Sequence, residues 1–216
     1  MIVDPLTFRL PRTPAFIAFE GINGCGKTTL QRNLQQRLEQ GGASVVATRE
    51  PGGTPLGLEL RKLLLDWRGE QKSPRAELLL FAADRAEHVD TVIKPGLANK
   101  SWVLCDRYLF STVAFQGYGR GLDAGWIDEA NHLATQGLLP DLVILMDLDP
   151  VEGVRRTKAR QDESRDAFEE EQSAFHTRIR EGFLKCAENS PAPFLVLDAT
   201  QSKEANLAAA AKALGV

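Results

Sequence analysis

Short, wholly apolar runs alternate with longer amphipathic stretches along the 216-residue chain. Ala15-Phe16-Ile17-Ala18-Phe19, Val45-Val46-Ala47-Thr48, Trp102-Val103-Leu104-Cys105-Asp106, Leu142 to Met146 and Phe194 to Leu197 have strand length and no alternation. That pattern belongs to strands covered on both faces. Between them, apolar residues recur at helical spacing. Leu30, Leu34 and Leu38 predict a helix over Thr28 to Gln40, stopped by Gly41-Gly42. Leu56, Leu60, Leu63 and Leu64 mark another, to about Trp67. Ser73-Pro74 is a helix start with proline in first position, and a long helical pattern runs from it to about Ala98, interrupted near Pro95. Residues 109 to 116 and 124 to 137 read as helices, split by the flexible Gly117-Tyr118-Gly119-Arg120-Gly121. Residues 150 to 161 form an increasingly basic helix; Phe168, Phe175, Ile179 and Phe183 stripe the next, and an alanine-rich helix closes the chain. Strands alternating with helices predict an α/β fold of three layers, a central parallel five-stranded sheet flanked by helices. Residues 1 to 14, with Pro5, Pro11 and Pro14, are expected to be a loosely ordered tail, and 15 to 216 a single domain.

Between the first strand and the first helix lies Gly21-Ile22-Asn23-Gly24-Cys25-Gly26-Lys27-Thr28, which fits G-x-x-x-x-G-K-[ST]. A glycine-rich turn there aims consecutive backbone N–H groups and a helix N-terminus at one anionic point, the geometry of a nucleotide phosphate site. Lys27 adds a mobile positive charge for the outer phosphates, and Thr28 the hydroxyl that holds Mg²⁺. A net charge of −3 excludes the basic excess of a nucleic-acid binder, so positive charge must be local. Cys25, Cys105 and Cys186 form no C-x-x-C pair and leave an odd count, which argues against a disulfide frame or zinc site and fits a reducing cytoplasm. No stretch has the length of a membrane span, and the first residues lack the apolar core of a signal peptide.

A phosphate loop serves GTPases, motors and small-molecule kinases alike. The N-K-x-D guanine reader is missing; Asn99-Lys100-Ser101-Trp102 lacks the acid. A kinase of small acceptors must bring two polyanions together and needs cations from several directions. Lys27, Arg61, Arg85, Arg107 and the cluster Arg155, Arg156, Lys158, Arg160 and Arg165 supply them.

Phe19-Glu20-Gly21 leading into the loop, Thr48-Arg49-Glu50-Pro51-Gly52-Gly53-Thr54, Leu80-Phe81-Ala82-Ala83-Asp84-Arg85, and Asp106-Arg107-Tyr108 through Gln116-Gly117 occur in an order and spacing that resemble bacterial thymidylate kinases. These are P-loop nucleoside monophosphate kinases, and the resemblance runs from about Phe16 to Thr200. It implies a P-loop NTPase fold, ATP-dependent conversion of dTMP to dTDP, Mg²⁺ and a homodimer. It casts Lys27, Asp106 and Arg107 as the catalytic set, with Thr28 and Asp106 at the metal through waters. Gly21, Ile22, Asn23, Gly24, Cys25, Gly26, Lys27 and Thr28 would take ATP, helped by Arg155, Arg160 and Arg165 in a lid at about residues 155 to 167. For the acceptor it implies Glu50 and Arg61 near the phosphate, Phe81 stacked on thymine, Arg85 at a base carbonyl, Thr112 and Gln116 about N3, and Phe115 near the sugar. On the residues alone, Phe81 could equally be core, and Arg85 an ion pair with Glu77 or Glu87. Three positions depart from the family pattern: Asn23 for an acid, Ala167 for an arginine, and Phe115 for a tyrosine. They keep two other readings open, a relaxed pyrimidine monophosphate kinase and a nucleotide-binding regulatory protein with impaired chemistry.

Overall fold

Five strands, β1 (Phe16–Glu20), β2 (Val45–Arg49), β3 (Trp102–Asp106), β4 (Leu142–Asp147) and β5 (Phe194–Asp198), form one parallel sheet. The structure is a computed structural model and describes residues 1–67, 72–159, 168, 171 and 173–216. Strand order is β2-β3-β1-β4-β5, so the strand that feeds the phosphate loop lies in the middle, fully buried. Register decides what meets at its end. Phe19 pairs with Asp106 of β3 and Ile144 of β4, which brings Gly21 and Arg107 to the same carboxyl rim, where parallel sheets bind ligands.

The flanking helices are α1 (Lys27–Gln40), α2 (Pro55–Arg61), α3 (Pro74–His88), α4 (Lys94–Ala98), α5 (Leu109–Thr112), α6 (Ala124–Thr135), α7 (Pro150–Lys158), α8 (Ser173–Asn189) and α9 (Lys203–Leu214). Ser73 starts its helix as the sequence predicts, and Thr54, Asp123, Asp149 and Ser202 do likewise at theirs: each accepts a backbone N–H of the first turn. Pro55, Pro74 and Pro150 occupy the first turn, where no N–H is needed.

Three helices run on as wider π-helical turns, at Lys62–Asp66, Val89–Ile93 and Val113–Gly119. Pro95 accordingly interrupts less than expected: it sits in the first turn of α4, after a π-helical segment that accommodates its missing donor. The break expected at Gly117 comes later, because the π-helical segment carries the chain through Gly119, which packs on α8. A Cβ on Gly119 would stand 2.7 Å from the Phe175 ring, so only glycine permits that approach.

The N-terminal segment is not the loose tail expected of it. Ile2 bridges to Phe194, Val3 N donates to Phe194 O at 2.8 Å, and Phe194 N to Met1 O at 2.9 Å. Otherwise β5 would end the sheet with unpaired backbone groups, and this segment covers part of that edge. Val3, Phe8 and Leu10 also pack against the core. No described helix is long and apolar enough to cross a membrane.

Candidate active site

The loop after β1 takes its shape from glycines with positive φ, 134° at Gly21, 82° at Gly24 and 99° at Gly26. At Gly21 a side chain is excluded twice over, since a Cβ would also lie 2.5 Å from Met146 O. Lys27 is buried beneath this loop, its Nζ donating to Gly21 O at 3.1 Å and Ile22 O at 3.0 Å. Thr28 Oγ1 donates to Asp106 Oδ2 at 2.7 Å, joining the start of α1 to the end of β3. A hydroxyl and a carboxylate side by side next to a phosphate loop suit a hard divalent cation that keeps most of its waters.

Arg107 crosses from β3 to the loop. Its Nη1 donates to Gly21 O at 3.0 Å and Ser111 Oγ at 3.1 Å, and its Nη2 to Asn23 Oδ1 at 2.6 Å. The guanidinium also lies 5.0 Å from the centre of the Phe115 ring, so this phenylalanine supports an arginine by its face and needs no hydroxyl to do so. Beneath them is Glu20, which sequence reasoning leaves without a role. Its carboxylate accepts from Tyr108 N (2.9 Å), Ser111 N (3.1 Å) and Ser111 Oγ (2.6 Å). Burial pushes its pKa up to about 7, against the opposing pull of Ser111, Arg107, Tyr108 and Lys27.

Beyond Arg107 a cavity of about 760 Å³ extends from the loop to Phe81. Arg85, only 2 % exposed, anchors its floor. Nε donates to Glu50 Oε2 at 2.8 Å, Nη1 to Thr112 Oγ1 and Asn131 Oδ1 at 2.9 Å each, and Nη2 to Tyr108 O at 3.1 Å. The ion pair that sequence reasoning offers with Glu77 or Glu87 is thus made with Glu50. Glu50 in turn is buried with both oxygens engaged, the second by His88 Nδ1 at 2.9 Å, so it lines the cavity as the partner of Arg85. His88 Nδ1 donates to that carboxylate, and its Nε2 shares a hydrogen bond with Thr48 Oγ1 at 2.7 Å. Arg61 reaches the same cavity and donates to Pro51 O at 2.9 Å. Thr112 and Gln116, both buried, line it too, and Gln116 Nε2 donates to Glu77 Oε1 at 2.9 Å.

Phe81 is half-buried on one wall. Phe168 faces it at 6.1 Å and meets Phe115 edge-on at 5.4 Å, giving the cavity an aromatic rim. Periodicity assigns Phe168 to a helix stripe; its place at the site depends on how the chain returns and has no local signal.

The basic segment divides differently from expectation. Arg155, placed by the resemblance at ATP, has a side chain 70 % exposed and pairs with Glu152 one turn back, at 2.6 and 2.7 Å. Arg156 is the one turned inward: its Nη1 donates to Ala199 O at 3.1 Å, and it lines a second cavity of about 470 Å³ on the other side of the phosphate loop. Gly24, Thr29, Ala199 and Lys203 border that cavity with it. Ala199 to Lys203 escape sequence reasoning, although they follow the carboxyl end of a parallel strand, where ligands are expected. Arg160, Arg165, Ala167 and so most of the proposed lid lie outside the described residues.

Two cavities that share Gly24, Gly26 and Thr29 at one phosphate loop, the larger lined by Arg107, are the arrangement of a P-loop kinase that transfers a phosphoryl group between two nucleotides. The thymidylate kinase family model matches residues 19–209. Thymidylate kinase of Geotalea daltonii is 50 % identical over 188 residues, covering 85 % of this chain and 88 % of that protein. That of Gloeobacter violaceus is 52 % identical over 190 residues, covering 88 % and 89 %. Among solved structures, thymidylate kinase from Ehrlichia chaffeensis superposes with a TM-score of 0.74 at 35 % identity, over 92 % of this chain and 97 % of that one. The chain belongs to the thymidylate kinase family.

Proposed function

We propose that the protein transfers the γ-phosphoryl group of ATP to the phosphate of dTMP, giving dTDP and ADP. The observation that carries the base assignment is the set of polar atoms at the inner end of the larger cavity. Arg85 has five N–H groups and spends four on internal partners, so one remains to donate. Thr112 Oγ1 accepts from Arg85, which frees its own hydroxyl proton. Gln116 gives its Nε2 to Glu77, leaving Oε1 to accept. Two donors and an acceptor complement the two carbonyls and the N3–H of thymine. Phe81 supplies an apolar face for the ring.

ATP enters from the second cavity, its base beside Arg156 and Ala199 and its phosphates along Gly21 to Thr28. The acceptor phosphate, with a second pKa of about 6, is largely ionised at neutral pH, so no general base is assigned. Lys27 and Arg107 hold the two polyanions in line and neutralise the charge that develops between them. Lys27 Nζ can exchange the carbonyls of Gly21 and Ile22 for phosphate oxygens by rotation of its stem. Arg107, fixed by Asn23 and Ser111, needs no such movement. Thr28 and Asp106 would hold Mg²⁺, which would supply positive charge to offset that of the phosphates. Arg61 is placed for the acceptor phosphate, and Glu50 acts by keeping Arg85 in position. Arg160 and Arg165, by family resemblance, would close over ATP. Residues 15 to 216 act as one domain, and the N-terminal segment serves to cover an edge of its sheet.

The active species is a homodimer, on the following support. Leu79 of α3 and Leu133 of α6 are 64 % and 81 % exposed, Trp126 of α6 is exposed too, and the two helices pack on one another. Three large apolar side chains on one helix pair suit a second copy of the same face. Three free, buried cysteines suit a reducing cytoplasm.

Purified protein with ATP and Mg²⁺ should release ADP only when dTMP is added. ADP release that ignores dTMP, or none at all, overturns the reading.

A further inference from the structure

Gln116 is an amide and can present either pole to a ligand; something must choose. Its Nε2 donates to Glu77 Oε1, and Glu77 is buried, only 4 % exposed. An ionised carboxylate has acceptors alone, so the pole turned toward it has to be the NH₂ group. Arg120 pairs with Glu77 from the other side, its Nε 3.2 Å from Oε1 and its Nη2 3.3 Å from Oε2. Arg120 is itself wedged in place. Its guanidinium sits 4.7 Å from the centre of the Phe175 ring and 5.4 Å from that of Phe168, and Nη1 pairs with Glu171. The order is therefore Arg120, then Glu77, then Gln116, then the cavity.

We infer that Glu77 is a specificity-determining positioning residue, fixing the Gln116 amide so that the cavity offers an acceptor and rejects a cytosine ring. Cytosine carries a lone pair at N3 and an amino group where thymine has a carbonyl. Against Oε1 of Gln116 its N3 would meet lone pair with lone pair, and against Arg85 its amino group would meet donor with donor. A buried polar site leaves such mismatches unpaired, and their cost is what discriminates. Glu77 touches neither substrate nor the reacting atoms. It acts through Gln116, and Arg120 acts through Glu77. The inference rests on the dTMP reading of the cavity.

The measurement is the ratio of kcat/KM for dTMP to that for dCMP, in wild type and in Glu77→Gln. A neutral amide at position 77 can donate as well as accept, which lets Gln116 turn over. The expected result is a fall in the ratio of at least about tenfold, one hydrogen-bond mismatch, carried by a gain on dCMP, with KM for ATP unchanged. Arg120→Gln, which keeps Glu77 but removes its cation, should move the ratio in the same direction. A ratio within about twofold of wild type in either folded variant overturns the inference, as does an equal loss on both substrates. Failure of the dTMP reading looks different: wild type would then show no preference for dTMP at all.

Discussion

Arg107 reaches the phosphate loop with φ at 74°, a left-handed conformation that a long side chain adopts only when its surroundings hold it there. The holding contacts are Gly21 O, Ser111 Oγ and Asn23 Oδ1. Arg107→Gly removes the guanidinium and relieves the backbone, so kcat should fall by roughly 10³ or more, the worth of a transition-state arginine, while the thermal midpoint holds or rises. Turnover within tenfold of wild type would take Arg107 out of the catalytic set. Asn23 gains a role that its departure from the family pattern does not suggest, as an acceptor for Arg107. Asn23→Leu should lower kcat by about tenfold, one charge-assisted hydrogen bond, whereas Asn23→Asp keeps the acceptor, adds an ion pair and should match or exceed wild type. Glu20 connects the same residues to pH. Its pKa is 4.5 in the unfolded chain and about 7 in the fold, so the folded state holds a proton that the unfolded chain releases. That contribution to stability is complete below about pH 4.5 and is lost as pH rises through about 7. Between pH 4.5 and pH 8 the unfolding free energy from urea titration should fall by up to about 3 kcal/mol more in wild type than in Glu20→Gln; equal falls would contradict the assignment. Lys27, Thr28, Asp106 and Arg107 are legible in the sequence because each sits in a contiguous motif at a strand end. Glu20, His88 and Phe168 are not, because their partners are distant in the chain and only the fold introduces them.

Helix α7 starts against the phosphate loop, and Gly153 is the point of contact. A Cβ there would lie 2.8 Å from Ile22 Cδ1 and 2.9 Å from Asn23 O, while a Cβ on Gly24 would meet Gly153 O at 2.6 Å. Two backbones approach with no room for a methyl group. Gly153→Ala should therefore displace the loop and raise KM for ATP by roughly fivefold, about 1 kcal/mol of lost binding, with a smaller effect on dTMP. Equal effects on both substrates would place the damage in the core instead. The five strands and most helices are visible from periodicity, since continuous apolar runs and four-residue repeats survive any tertiary context. The π-helical turns are not. Val113–Gly119 reads as a short helix followed by a flexible glycine stretch, yet the wider turn is what packs Gly119 on α8 and lets Phe115 and Gln116 line the cavity.

Across the whole molecule, a chain with a net charge of −3 gathers Lys27, Arg61, Arg85, Arg107 and Arg156 around two cavities that share one loop. Charge is local because the ligands are. The exposed pair Leu79 and Leu133 belongs to the same scale, since a single copy leaves it in water. Leu133→Glu should convert a sedimenting dimer into a monomer, and a wild type that already sediments as a monomer would contradict the assembly. The most direct test of the central claim is a steady-state panel of dTMP, dUMP, UMP and dCMP with ATP and Mg²⁺, read by ADP release. The account predicts that dTMP gives the highest kcat/KM, that dUMP follows because its ring offers the same two carbonyls and N3–H, and that dCMP comes far behind. A dCMP efficiency equal to that of dTMP, or no transfer to dTMP, would contradict it.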